Sequence, residues 1–305
     1  MRYSAIKLTL TRRHWKILCV TITLAILPMS AIAQDSGQHV ADENELLTTL
    51  LPDRIALPIG DQGKMLEAVV YSPHNYDPTE SYPLLVVLDA DPLLGLIKTL
   101  NFLWVEEGKA APVILVGLPF GASAGTIWSN RSYFLLPNPV GVVDYYGNEV
   151  PVNSGGGAKD LAKLIQDEVL PDVLERYSVD SERIGLAGFS MGGLFVAWHL
   201  VTYPEVFSDY LVIAPPLAPP FVESTFERAT KDLQQRGFRQ PTRLYIAYAE
   251  NDLGYVLTGA SSWISGWQEL EGSNLRFHSD VIKDHRHDAG AIPALIKGYE
   301  FLYEQ

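Results

Sequence analysis

The chain has 305 residues, 47% of them apolar, which is enough to bury the core of one large or two small domains. Its 36 acidic residues outnumber 23 Lys and Arg, giving a formal net charge of −13 at pH 7, a field that repels nucleic acid and anionic lipid. The single cysteine, Cys19, sits in an N-terminal apolar run, so the rest of the chain can form no disulfide, thiolate nucleophile or cysteine-ligated metal site.

Arg2, Lys7, Arg12, Arg13 and Lys16 form a basic leader, residues 17–29 are an apolar run too short to span a bilayer, and Ala31-Ile32-Ala33 is a small-x-small cleavage site. Residues 1–33 therefore read as a secretory signal peptide cleaved after Ala33, with an uncleaved N-terminal anchor as the alternative. The mature chain is then periplasmic or secreted, with no stable membrane insertion. Losing the leader removes five basic residues and leaves a net charge of about −18. Residues 34–50, polar and carrying Asp35, Asp42, Glu43 and Glu45, read as a flexible lead-in to a single domain over 51–305.

Residues 55–59 and 66–71, separated by a turn at Gly63, have the pattern of an antiparallel strand pair at a sheet edge. Residues 83–89 and 112–118 are continuous apolar runs of the kind buried on both faces, with a helix expected over 92–105. Residues 119–157 are rich in Gly, Pro, Asn and aromatics without a sustained period, and read as the longest irregular segment, a functional loop. An amphipathic helix follows over 158–177, bent near Pro171.

Next comes a short apolar strand over 184–187, then Gly188-Phe189-Ser190-Met191-Gly192, then a Pro-free apolar helix from Met191. Strands over 210–214, 242–249 and 275–282 alternate with helices over 223–236, 254–270 and 289–303. This alternation at βαβ spacing makes one α/β domain, a mostly parallel doubly wound sheet with helices on both faces.

G-x-S-x-G between a strand and a helix has a chemical reason. The serine takes strained backbone angles that lift its Oγ clear, and only glycine lets neighbouring backbone pass so close. The helix start adds the Met191 N–H and a positive dipole end facing a developing oxyanion. A second donor is expected after the 83–89 strand, from the N–H of Ala90 or Asp91, since Pro92 has none.

A serine hydroxyl needs an imidazole to take its proton and a carboxylate to orient that imidazole. Loops after parallel strands gather along one sheet edge, so the segments after 249 and 282 should reach Ser190. They supply an acid and then a histidine, the Ser, acid, His order of α/β hydrolases. His287, immediately before the last helix, is the expected base, with His285 as the alternative and His278 a minor one. Asp252 is the expected acid, with Glu250 as the alternative; a helix-capping Asp252 would be the bland reading. His285 and His287 with Asp284 and Asp288 form only a loose ligand set, and no metal or other cofactor is expected. In the irregular segment Arg131, Trp128 and Tyr133, with Tyr145 and Tyr146, are substrate-binding candidates. Arg131 reads equally as a holder of a substrate carboxylate or catecholate and as a structural ion-pair partner. Trp198 and His199 are expected to be core or helix-surface residues.

Several stretches carry a resemblance: Tyr82 to Asp89, Arg131-Ser132-Tyr133, Gly155-Gly156-Gly157-Ala158, Gly188 to Phe195, Tyr203-Pro204-Glu205-Val206-Phe207 and Gly298-Tyr299-Glu300-Phe301-Leu302. Through them the chain resembles the esterase family of α/β hydrolases that includes enterochelin esterases, S-formylglutathione hydrolases, feruloyl esterases and antigen 85 mycolyltransferases. The resemblance implies the α/β-hydrolase fold, supports Ser190 and His287, favours Asp252, and points most to a periplasmic siderophore-type esterase. One departure is Ala214-Pro215-Pro216-Leu217-Ala218, where family members often carry hydroxyls and an aromatic. The expectation is an exported serine esterase cleaving a small-molecule ester through an acyl-enzyme on Ser190. An acyltransferase with the same triad and a non-catalytic binding protein are the alternatives.

Overall fold

Residues 52–59, 64–121, 123–268, 270 and 274–305 are described by a computed structural model. The expected signal peptide, lead-in and Gly63 turn lie outside these residues. Eight strands form one sheet in the order β1-β2-β4-β3-β7-β8-β9-β10: β1 (Asp53–Ile59), β2 (Lys64–Tyr71), β3 (Tyr82–Val87), β4 (Ile114–Gly117), β7 (Val179–Phe189), β8 (Asp209–Ile213), β9 (Thr242–Asn251) and β10 (Leu275–Arg286). Strand β2 is antiparallel to both β1 and β4, and every pairing from β4 to β10 is parallel. This is the α/β-hydrolase fold.

The apolar runs explain the sheet's centre. Every residue of β3, β4 and β8 is buried, as strands covered on both faces must be. Successive side chains alternate between faces: Leu84 and Val86 join one apolar cluster, Leu85 and Val87 the other. The second cluster is closed by α1 (Ala90–Glu106) and α8 (His287–Tyr303), through Leu93, Ile97, Leu295 and Tyr299. The first is covered by α3 (Ala158–Leu164), α5 (Met191–Thr202) and α6 (Ser224–Arg236), while α7 (Gly254–Gln268) sends Trp263 and Trp267 to it and Val256 to the other.

Residues 119–157 are not irregular, contrary to the sequence expectation. They hold α2 (Ala124–Leu135) and a separate hairpin of β5 (Val140–Tyr145) and β6 (Asn148–Ser154). Helix α2 starts on a capping box in which the Ser123 side chain accepts from the Thr126 N–H and the Thr126 side chain accepts from the Ser123 N–H. It buries only Ser132, Phe134 and Leu135, near one end, so no apolar stripe marks it in the sequence. The hairpin turns at Tyr146 and Gly147, both at positive φ, and is interrupted by Gly141 and Pro151, which hide its alternation.

The 158–177 helix is also not continuous. A π-helical turn over Ile165–Val169 separates α3 from α4 (Leu170–Arg176), one turn before Pro171. Widening the helix there relieves the clash of the proline ring with the preceding turn. Strands β9 and β10 run further than expected, to Asn251 and Arg286, and α8 begins at His287 itself.

Trp198 and His199 are both buried, His199 completely. His199 Nε2 lies 3.3 Å from Gln166 in the π turn, and the ring is enclosed by Phe195, Tyr203 and Phe207. Burial pushes its pKa down to about 3. The unfolded chain, with a histidine pKa of about 6.5, takes up this proton first. Stability from the neutral ring is therefore complete above about pH 6.5 and is lost as pH falls toward 3, by up to about 1.4 kcal/mol per pH unit. The drop in Tm from pH 7 to pH 4.5 should be smaller in His199→Phe than in wild type, measured by thermal unfolding; equal drops would contradict this.

Candidate active site

Strand β7 runs directly into α5, and the residue at the junction is Ser190, at φ 57° and ψ −118°. A non-glycine residue rarely adopts these angles, and the surrounding structure must hold it there. The Ser190 N–H donates to the Ile213 carbonyl of β8 at 2.9 Å. The peptide before it is gripped by Asp89, at the end of β3, whose carboxylate is fully buried. Asp89 Oδ2 accepts from the Phe189 N–H at 2.8 Å, and Oδ1 from Arg131 Nε at 2.6 Å. Arg131 in turn donates from Nη2 to the Phe189 carbonyl at 3.4 Å.

The flanking glycines follow from this crowding. A Cβ on Gly188 would come within 2.4 Å of the Gly192 backbone, and one on Gly192 within 2.0 Å of Asp89 Oδ2. No side chain fits at either position without moving the turn.

His287 and Asp252 arrive from the ends of β10 and β9. His287 Nε2 is 2.8 Å from Ser190 Oγ, and Nδ1 is 2.6 Å from Asp252 Oδ1. Asp252 is nearly buried and is fixed by the N–H groups of Leu253, at 2.8 Å, and Ala249, at 3.0 Å. The hairpin tip holds the histidine's backbone: Tyr146 Oη accepts from the His287 N–H at 2.8 Å and donates to the Asn251 carbonyl at 3.0 Å. The Arg286 guanidinium lies 3.7 Å from the centre of the Tyr146 ring, reinforcing that contact.

The alternatives stand elsewhere. Glu250 is exposed and accepts from the Asp284 N–H at 3.0 Å, while His285 Nδ1 is 2.6 Å from the Lys283 carbonyl. Both occupy the extended strand ends, where successive side chains leave in opposite directions. His278 packs against both Tyr245 and Phe301, in a cluster of three mutually touching rings.

Ser190 and Met191 open onto a cavity of about 310 Å³. Helix α2 contributes Trp128 and Arg131, the hairpin Val143, Tyr145, Val150 and Val152, and later segments Pro216, Phe221, Leu253 and Tyr255. Two of the sequence expectations, Tyr133 and Asp91, need correction. Tyr133 does not line this cavity; it packs edge-on against Phe134 and over Gly157. Arg131 lines the cavity, and its guanidinium is engaged by Asp89, the ion-pair alternative of its two expected roles. Asp91 does not line it either, and its carboxylate turns to the Phe120 N–H at 2.8 Å. Its own N–H, in the first turn of α1, meets no acceptor among the described residues.

Sequence reasoning did not single out Asp89, although an acid closing a wholly apolar strand is a signal for a buried, paired carboxylate. Phe221, Leu253 and the hairpin valines carried no signal, because only the tertiary fold brings them to the serine.

Removing the guanidinium would leave Asp89 buried without its cation. Arg131→Ala should lose about 3–5 kcal/mol of stability, read from the denaturant midpoint. A loss below about 1 kcal/mol would show that the pair does not hold the turn.

The sequence pattern of the family described as "Putative esterase" matches residues 61–269. Among curated proteins, the ferri-bacillibactin esterase BesA of Bacillus subtilis is 24% identical over 160 residues, covering 51% of this chain and 55% of BesA. The apo-salmochelin esterase of Escherichia coli is 25% identical over 148 residues, covering 48% of this chain and 45% of that protein. The chain thus spans about half the length of the curated relatives it matches. Among solved structures, the BES protein from Bacillus cereus superposes with a TM-score of 0.72 at 18% identity, covering 83% of this chain and 96% of that one. An IroE-like serine hydrolase from Shewanella oneidensis gives 0.68 at 20% identity, covering 82% and 79%. These structures share the fold, and the match over residues 61–269 means that the chain belongs to this esterase family.

Proposed function

We propose that the chain is an exported serine esterase that cleaves carboxylic esters through an acyl-enzyme on Ser190. The observation that carries this reading is the unbroken chain of contacts from Ser190 Oγ through His287 to the buried Asp252, opening onto a cavity. As Ser190 Oγ attacks the ester carbonyl, His287 Nε2 takes the hydroxyl proton. Asp252 keeps the His287 Nδ1 proton in place and stabilises the imidazolium. The oxyanion of the tetrahedral intermediate is met by the Met191 N–H at the start of α5. Collapse breaks the bond to the alcohol, which leaves with the proton from His287. A water then repeats the sequence, returning the acid product and the free serine.

Membership of the esterase family and the names of the two curated relatives support ester hydrolysis, and those names favour a siderophore-type ester as a substrate to test. The basic leader, apolar run and small-x-small site over residues 1–33 support export.

Ser190→Ala should leave the thermal unfolding curve in place while lowering kcat/KM for p-nitrophenyl acetate by about 10⁴-fold or more. Substantial retained turnover would remove the serine from the mechanism. Asp252→Asn should cost about 10³ to 10⁴-fold in kcat, because the amide no longer holds the imidazole in the required tautomer. A catecholate trilactone offered with and without iron tests the siderophore-type reading by product release. Turnover in the presence of an added alcohol separates hydrolysis from acyl transfer.

A further inference from the structure

The cavity beside Ser190 has an unusual charge balance for a site with an arginine in its wall. Among the described residues, Arg131 and Asp288 are the only Arg, Lys, Asp or Glu side chains that line it. The Arg131 charge is met at 2.6 Å by the fully buried Asp89, and the guanidinium also donates to the Phe189 carbonyl. The cation is therefore already neutralised from behind. Asp288 is exposed at the mouth, and its Oδ2 accepts from the Tyr145 hydroxyl at 2.8 Å. With Arg131 paired, the wall carries a net negative charge, inside a chain whose own net charge is −13.

The rest of the wall is apolar or aromatic. The rings of Trp128, Tyr145, Phe189, Phe221 and Tyr255 surround the space, with the hairpin valines filling between them. The two phenols stay protonated. Burial, helped by the Asp252 carboxylate, pushes Tyr255 up to about 12, and burial together with Asp288 raises Tyr145 as well. A cavity of about 310 Å³ lies at the small end of the roughly 300–1,000 Å³ usual for ligand sites, so it holds a ring-sized group.

We infer that the cavity selects an uncharged, apolar acyl group of about the size of one aromatic ring and turns away anionic ones. This rests on Ser190 being the nucleophile. An acyl carboxylate entering here would lose its hydration, meet no free cation in the described wall and lie near Asp288. A neutral aryl group would instead exchange water for aromatic contacts.

A matched pair of esters tests this: 4-nitrophenyl 4-methylbenzoate and 4-nitrophenyl 4-carboxybenzoate, which differ only in a methyl against a carboxylate. For the full-length protein, kcat/KM for each is divided by its hydroxide-catalysed rate to remove intrinsic reactivity. The neutral ester should exceed the anionic one by about tenfold or more. In Asp288→Asn, which keeps an acceptor for Tyr145, the anionic-to-neutral ratio should rise several-fold at low salt. A wild-type ratio below about tenfold, or an unchanged ratio in Asp288→Asn, overturns the inference while leaving Ser190 as nucleophile. Turnover that persists in Ser190→Ala, or no turnover of either ester by wild type, instead overturns the catalytic reading and the inference with it.

Discussion

The buried carboxylate of Asp89 is the constraint on which the rest of the site depends. Ser190 occupies backbone angles that cost of order 1–3 kcal/mol, so something must over-determine the turn. Asp89 does so from the end of β3, one strand over from β7, by accepting from the Phe189 N–H, and Arg131 completes the grip on the Phe189 carbonyl. A carboxylate with no exposure is tolerated only because the cation and the backbone donor satisfy it. The same contact explains why position 192 is glycine, since any Cβ there would meet the carboxylate first. One ion pair thus links strand β3, helix α2 and the turn that carries Ser190.

The hairpin of β5 and β6 performs two tasks that are usually separate. Its inner face supplies Val143, Tyr145, Val150 and Val152 to the cavity, and its tip fixes the His287 backbone through Tyr146. The shape of the cavity wall and the placement of the imidazole are therefore coupled through one insertion outside the main sheet. Substitutions at the tip would be felt at both, because Tyr146 also ties down Asn251, next to Asp252.

Much of this was legible in the sequence, for physical reasons. Long apolar runs such as those in β3 and β4 allow few readings other than buried strands, and Gly188-Phe189-Ser190-Met191-Gly192 has little use for two glycines except a crowded turn. Chain order then brought Asp252 and His287 toward Ser190, because parallel strands deliver their following segments to one edge. The misreadings also have causes. Helix α2 buries too little to show a period, and β5 and β6 pack one face on a small patch while glycine and proline interrupt them. Arg131 could not be assigned from sequence because its partner lies 42 positions away, in a strand whose terminal acid looked like an ordinary strand end. Glu250 and His285 compete with Asp252 and His287 only if the strands end at 249 and 282, whereas they run on to Asn251 and Arg286.

The proposed reaction makes Ser190 a nucleophile whose reactivity depends on the imidazole beside it. The most direct measurement is labelling of the intact protein with a fluorophosphonate, followed by mass spectrometry of its peptides. A single adduct on Ser190, formed at least about 10³-fold more slowly in His287→Ala, is the predicted result. No adduct, an adduct on another residue, or labelling at the wild-type rate in His287→Ala would contradict it.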